Sequence, residues 1–329
     1  MKTVCFITGQ EDSFDYPSDL PEAYWRVWMP SKKLGSAAVL GREGATKRAL
    51  QADIVWIYEP LCFAAHALAD VAKQMGKQVV VDWSEDIYAR HEQDRPYSAA
   101  RVEAAEKTME LADMIVVATP GLGPVYSGVV RVVETVIPLE GWERKRPQVD
   151  LSWWSDGRQK LGFEKVAPAI SDVMARRSID LINIQFAHER PLVAGLEPDE
   201  RQQRAARLSA HFGDDRNRTA DQNLADFRDV FSSAIVSLEC YLPGSYRESV
   251  SDVPLLRAAA LGIPSLTTRH DPPRGCVEAP PEQWGDVLLD LIDSGSWAKL
   301  GREARNWAET RSTYEGYEQT LKEVNNAYS

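Results

Sequence analysis

Asp252-Val253-Pro254-Leu255-Leu256-Arg257-Ala258-Ala259-Ala260-Leu261-Gly262-Ile263-Pro264-Ser265-Leu266-Thr267-Thr268 decides the fold of this chain. An alanine- and leucine-rich helix stops at Gly262, and an apolar strand starts at once with Ile263-Pro264. Glycine takes the left-handed conformation that ends a helix without a Cβ penalty. Ala258, Ala259 and Ala260 carry side chains short enough for the helix to lie close against a sheet.

Working outward, the same alternation of strand and helix runs through the chain. In the first 140 residues, strands are expected at 3–8, 37–40, 54–58, 79–82, 114–118 and 130–133. Several are continuous apolar runs rather than alternating ones, as in a parallel sheet covered on both faces. Helical stretches lie between them, notably 60–74, ending at Gly76, and 98–111. Residues 137–147 mix proline, glycine and charge and read as a linker. Alternation then restarts with a strand at 151–154, a helix at 163–176 and strands at 180–186 and 234–241, around a polar region at 189–226 that also reads as partly helical. The last 45 residues read as helices at 281–292, 297–311 and 314–326. The expected plan is an open doubly wound domain over 1–140, a linker at 141–149, a second such domain over 150–311, and a terminal helix in 312–329 returning to the first domain. Ligands are expected at the carboxyl ends of the strands.

Composition narrows the class. A chain of 329 residues with 44% hydrophobic and 26% charged residues has the make-up of a soluble globular protein with two cores. No apolar run approaches the roughly 20 residues that span a bilayer. Residues 1–9 read as a first buried strand rather than a signal peptide. Cys5, Cys62, Cys240 and Cys276 are scattered, and three sit in apolar runs, which implies reduced thiols and a cytoplasmic location. The net charge of −11 disfavours non-specific attraction to nucleic acid or anionic lipid. The five histidines show no metal-ligand spacing, so no metal is expected.

Several segments together resemble the GT-B glycosyltransferases, in particular their retaining GT4-like group. They are Asp53-Ile54-Val55-Trp56-Ile57-Tyr58-Glu59-Pro60, Val79-Val80-Val81-Asp82-Trp83-Ser84-Glu85-Asp86 and Ala112-Asp113-Met114-Ile115-Val116-Val117-Ala118-Thr119-Pro120 in the first half. Val136-Ile137-Pro138 looks like the family's interdomain hinge. Asp156-Gly157-Arg158-Gln159-Lys160-Leu161-Gly162-Phe163 is similar to its glycine–arginine…lysine–glycine turn, and Leu256 to Pro264 completes the set. Each segment alone is weak; their order over residues 50–270 carries the resemblance.

The resemblance implies two Rossmann-like domains facing a cleft, with a UDP- or GDP-sugar donor on the second and no further cofactor or metal. Breaking a sugar–phosphate bond leaves a diphosphate that cations and helix N-termini stabilise. Arg158 and Lys160 are the implied diphosphate contacts, with Ser249, Ser251, Arg257 and His188 as further donor-side candidates. Ser249 and Ser251 read equally well as helix caps. Arg257 stands where the group carries a ribose-binding glutamate, and Val250 lies near the place of its usual lysine. An arginine cannot accept hydrogen bonds from ribose hydroxyls. On the acceptor side, Asp82 and Glu85 are the candidate catalytic carboxylates, able to orient or deprotonate a hydroxyl or balance positive charge on the sugar. Asp86 reads as a cap. Trp25, Arg26 and Glu59 are candidate acceptor contacts, although packing is the default for two tryptophans on one helix face.

The expected activity is sugar transfer from a nucleotide sugar to a hydroxyl of a soluble acceptor, with retention. Hydroxymethylated viral DNA, a protein or a glycan are the acceptor classes considered. DNA would need a local basic groove, for which Arg26, Lys32, Lys33 and residues 144–146 are available. The alternative is a non-catalytic nucleotide- or sugar-binding module on the same fold, motivated by Arg257 and the lack of a histidine near Asp82. No GxGxxG follows the first strand, which disfavours a dehydrogenase or epimerase.

Overall fold

A computed structural model describes residues 3–8, 23–35, 37–39, 45–90, 96–147, 149–155, 159–177, 181–185, 228 and 231–326. Two parallel sheets organise them. The first holds β1 (Val4–Thr8), β2 (Ala37–Val39), β3 (Ile54–Tyr58), β4 (Gln78–Trp83), β5 (Met114–Val117) and β6 (Val130–Val132), in the order β2-β1-β3-β4-β5-β6. The second holds β7 (Val149–Ser155), β8 (Leu181–Gln185), β9 (Ala234–Glu239), β10 (Ser265–Thr267) and β11 (Cys276–Glu278), in the order β11-β10-β9-β7-β8. Strand order reverses beside β1 in the first sheet and beside β7 in the second. The crevices between β1 and β3, and between β7 and β9, are therefore the topological switch points where such sheets take ligands.

The described helices are α1 (Met29–Lys33), entered through a wide π-type turn at Tyr24–Trp28, then α2 (Ala45–Gln51), α3 (Phe63–Gln74), α4 (Ala99–Leu111) and α5 (Lys160–Arg177). They continue with α6 (Ser245–Ser249), α7 (Val253–Ala260), α8 (Trp284–Ser294), α9 (Trp297–Thr310) and α10 (Glu315–Asn326). The polar region at 189–226 lies outside the described residues.

Every residue of β3 and β4 is buried, which explains their uninterrupted apolar character. Alternate side chains go to opposite faces. Val55, Ile57, Val79 and Val81 join a core with Leu68, Ala69 and Ala72 of α3. Phe6, Ile54, Trp56 and Val80 face the other way, into a core completed by Tyr317 and Val324 of α10. Tyr317 stacks on Trp56 with ring centroids 5.6 Å apart, and Gln78 Nε2 donates to the Val324 carbonyl at 2.6 Å. The last helix thus packs on the first sheet.

The α7–β10 unit forms as its composition predicts, with Gly262 at φ +69°. The strand begins two residues later than expected. Pro264 accepts a hydrogen bond from Ser237 N at 2.9 Å but has no N–H to return, so the regular ladder starts at Ser265. Ala258, Ala259 and Ala260 share a core with Ala304 and Ala308 of α9 as well as approaching the sheet. That packing is close enough that a Cβ on Gly301 would lie 2.2 Å from the Gly262 carbonyl oxygen. Helix α2 and strand β11 were not expected. Both are short, and β11 lies in a segment punctuated by Pro272, Pro273 and Gly275, where propensity argues for a loop.

Candidate functional site

Residues at the carboxyl ends of β4 and β5 meet the segment that follows β9. Ser251 N donates to the Ser84 carbonyl at 3.0 Å, and Thr119 Oγ1 donates to the Ser249 carbonyl at 3.2 Å. A Cβ on Gly121 would lie 2.8 Å from the Glu248 carbonyl oxygen, so glycine allows the two halves to touch there. Both rims of the gap between the sheets are consequently built from strand ends.

On the first rim, Glu85 is a hub. Tyr246 of α6 donates its hydroxyl to Glu85 Oε2 at 2.6 Å, while Tyr97 and Arg90 donate to Oε1. Tyr126 donates to the Glu85 carbonyl at 2.7 Å and stacks on Trp83 with centroids 5.5 Å apart. Burial, followed by the Glu85 and Glu59 carboxylates, raises the Tyr97 pKa well above its ordinary value. Tyr97 therefore stays a hydroxyl donor at neutral pH. Glu59, just after β3, has φ +46°, a left-handed conformation uncommon outside glycine that tends to mark functional positions. Its Oε1 accepts from Ser84 Oγ, and the Ser84 hydroxyl is 2.8 Å from the Tyr58 hydroxyl. Asp86 Oδ1 accepts from Tyr88 N at 2.9 Å and Ala89 N at 3.0 Å, closing the turn as its capping reading requires.

Asp82, Arg26 and Trp25 are all buried. Arg26 Nε donates to Asp82 Oδ1 at 2.8 Å, and Trp56 Nε1 donates to Oδ2 at 2.9 Å. Arg26 Nη1 donates to the Val133 carbonyl at 2.8 Å and to Thr135 Oγ1 at 3.1 Å. Arg26 and Asp82 are both fully buried. Burial opposes the Arg26 charge, yet the Asp82 carboxylate outweighs it, so the guanidinium pKa is raised. The pair is an internal brace between strand ends, and Arg26 offers no surface to DNA. Trp25 is fully buried too, packing on Trp142 at 5.8 Å within the core that includes α7. Its ring fills the junction between the halves together with Trp142.

On the second rim, α5 begins at Lys160, beside the β7/β9 switch point. A Cβ on Gly162 would lie 2.3 Å from the Cys240 carbonyl oxygen, so the first turn of α5 rests directly on the end of β9. Gln159, buried and not singled out from sequence, ties this corner together. Its Oε1 accepts from Cys240 N at 3.2 Å and its Nε2 donates to Tyr241 Oη at 3.2 Å. Arg158 and His188 lie outside the described residues. Ser249 Oγ donates to the Tyr246 carbonyl at 3.2 Å, and Ser251 Oγ accepts from Val253 N at 3.1 Å. Both hydroxyls thus serve local turns, Ser251 at the start of α7. Arg257 is buried within α7.

Sequence reasoning also missed Arg269, just past β10. Its Nη1 donates to Asp252 Oδ1 at 2.8 Å. Arg311 lies 3.7 Å from Asp252 Oδ2 and 2.7 Å from Glu134 Oε1, extending an ion-pair chain to the end of the first half. The available signal was an arginine at the carboxyl end of a strand in the second half. Among the described residues, no three His, Cys, Asp or Glu side chains converge to hold a metal, and no helix is long and apolar enough to cross a membrane.

Two doubly wound parallel sheets in series, with their carboxyl ends turned to a common gap, constitute a GT-B fold. Solved structures of that type overlie most or nearly all of the chain. HepE of Anabaena in complex with UDP matches with a TM-score of 0.62 at 10% identity, over 99% of this chain and 100% of that one. An alpha-glucosyltransferase in complex with UDP and a 13-mer DNA containing an A:G mismatch matches with a TM-score of 0.61 at 13% identity, over 99% and 100%. The GtfA/B complex matches with a TM-score of 0.54 at 13% identity, over 87% of this chain and 61% of that one. No protein-family model and no curated protein matches the sequence.

Proposed function

We propose that this protein is a glycosyltransferase that moves a sugar, with retention, from a nucleoside-diphosphate sugar to a hydroxyl of a soluble acceptor in the cytoplasm. The observation that carries this reading is the Glu85–Tyr246 hydrogen bond, which sets a buried carboxylate of the first half against the donor-side segment of the second. In that role Glu85 faces the reacting carbon and balances positive charge on the sugar. Arg90, Tyr97 and Tyr246 already donate to its oxygens, which suits a fixed negative charge better than a proton acceptor. Lys160 and Arg158, at and before the first turn of α5, neutralise the departing diphosphate. The start of α5 at the β7/β9 switch point is the support for this reading.

UDP is the nucleotide favoured, because HepE and the alpha-glucosyltransferase both hold it. The DNA held by the second makes hydroxymethylated viral DNA a member of the acceptor panel beside glycans and proteins. The test is turnover of UDP- and GDP-sugars with and without these acceptors. Acceptor-dependent release of nucleoside diphosphate, lowered about 10²- to 10⁴-fold by Glu85→Gln, supports the reading. A second reading, a non-catalytic nucleotide-binding module, is favoured by Asp82, whose carboxylate is committed to Arg26 and Trp56. Tight UDP binding with no turnover of any donor would establish that alternative.

A further inference from the structure

The Arg269 guanidinium is nine-tenths buried, with 8% of the residue exposed. One end of it is accounted for, since Nη1 holds Asp252 at 2.8 Å. The side-on edge formed by Nε and Nη2 makes no hydrogen bond among the described residues, and the Glu239 carboxylate acts on the guanidinium by charge alone. Nε is buried, and neither nitrogen has a hydrogen-bond partner among the described residues. A buried N–H of a cation without an acceptor is unfavourable and calls for a cause. Two parallel N–H groups on one planar edge match the spacing of two oxygens of a carboxylate or phosphate.

The position of this edge narrows the choice. Arg269 follows β10, whose neighbour β9 borders the switch point of the second sheet. The preceding residue, Thr268, donates its hydroxyl to the Tyr241 carbonyl at 2.9 Å and accepts from Tyr241 N at 2.8 Å. Tyr241 in turn receives a hydrogen bond from Gln159, next to Lys160. A continuous run of contacts therefore links Arg269 to the first turn of α5. Asp252, held also by Arg311, fixes the other end of the guanidinium and so sets the direction of the open edge.

We propose that Arg269 grips the diphosphate of the nucleotide donor through its Nε–Nη2 edge while Asp252 holds Nη1. This deepens the donor reading above and rests on it. A site requiring only charge would accept lysine; this one requires the planar fork.

The experiment measures binding of UDP, GDP and uridine to the full chain by calorimetry and competition, in the wild type, Arg269→Gln and Arg269→Lys. Arg269→Gln should weaken UDP about tenfold or more while leaving uridine within about twofold. Arg269→Lys, which keeps a cation for Asp252, should still lose most of the UDP affinity and covers the case in which the glutamine variant fails to fold. UDP affinity unchanged in either folded variant, or a parallel loss of uridine, overturns the role of Arg269 and leaves the donor reading intact. A wild type that binds none of the three ligands overturns both.

Discussion

The two rims of the gap differ in how complete they are. On the first, Asp82 is enclosed by Arg26 and Trp56, and Glu85 by Arg90, Tyr97 and Tyr246. On the second, Arg269 presents two donors with no acceptor among the described residues. Satisfied networks rigidify, whereas a buried guanidinium edge without an acceptor leaves hydrogen bonds that a bound anion could complete. On the proposal made for Arg269, the first half is preorganised by its own chain and the second would be completed by a bound anion.

The largest effect that can break this contrast comes from Asp82. Asp82→Ala leaves the fully buried Arg26 charge without its carboxylate, and should cost about 3–5 kcal/mol of stability in denaturant titrations. A loss below about 1 kcal/mol would mean that the first rim is not braced by this pair. Next is Gly162→Ala, which puts a methyl against the Cys240 carbonyl and forces α5 away from β9. A cost of about 1–3 kcal/mol is expected, together with weaker UDP binding. Unchanged UDP affinity would separate the α5 turn from the ligand.

Tyr246→Phe sharpens the comparison, because Tyr246 joins the rims. Removing a hydrogen bond to a buried carboxylate should cost about 1.5–3 kcal/mol. Turnover should fall with it if Glu85 needs the second half to hold it; stability lost without turnover would make Tyr246 purely structural. The smallest effect is at the surface pair His270 and Glu278, 3.1 Å apart. The hydrogen bond to Glu278 and its charge raise the His270 pKa above its ordinary value. The stabilisation is therefore fully present below about pH 6.5 and fades as pH rises through the raised value. A melting curve should show a slight decline of Tm with pH across that range that is absent in His270→Gln.

Much of the architecture is legible in local sequence, and the site much less so. Strands such as β3 and β4 announce themselves because a sheet covered on both faces demands an unbroken apolar run. Gly262 and the three alanines before it mark the α7–β10 junction because only certain residues tolerate that backbone and that closeness. The partnership of Arg26 with Asp82 joins positions 56 residues apart, and no local pattern encodes it. For the same reason the sequence, which offers Arg26 and Asp82 as candidate site residues, does not reveal that they pair as a brace. Gln159 and Arg269 escape notice because single polar residues acquire meaning only from neighbours that the fold supplies. Glu85 could be singled out because it follows a buried strand and two of its donors, Arg90 and Tyr97, lie close after it, yet the third, Tyr246, comes from the second half.

The return of α10 to the first sheet has a consequence for biosynthesis. Phe6, Trp56 and Val80 present an oily surface that Tyr317 and Val324 cover. On a ribosome, that surface emerges well before Tyr317 and Val324, which cover it. Until Tyr317 and Val324 are made, this face of the first sheet lacks the cover that α10 gives it.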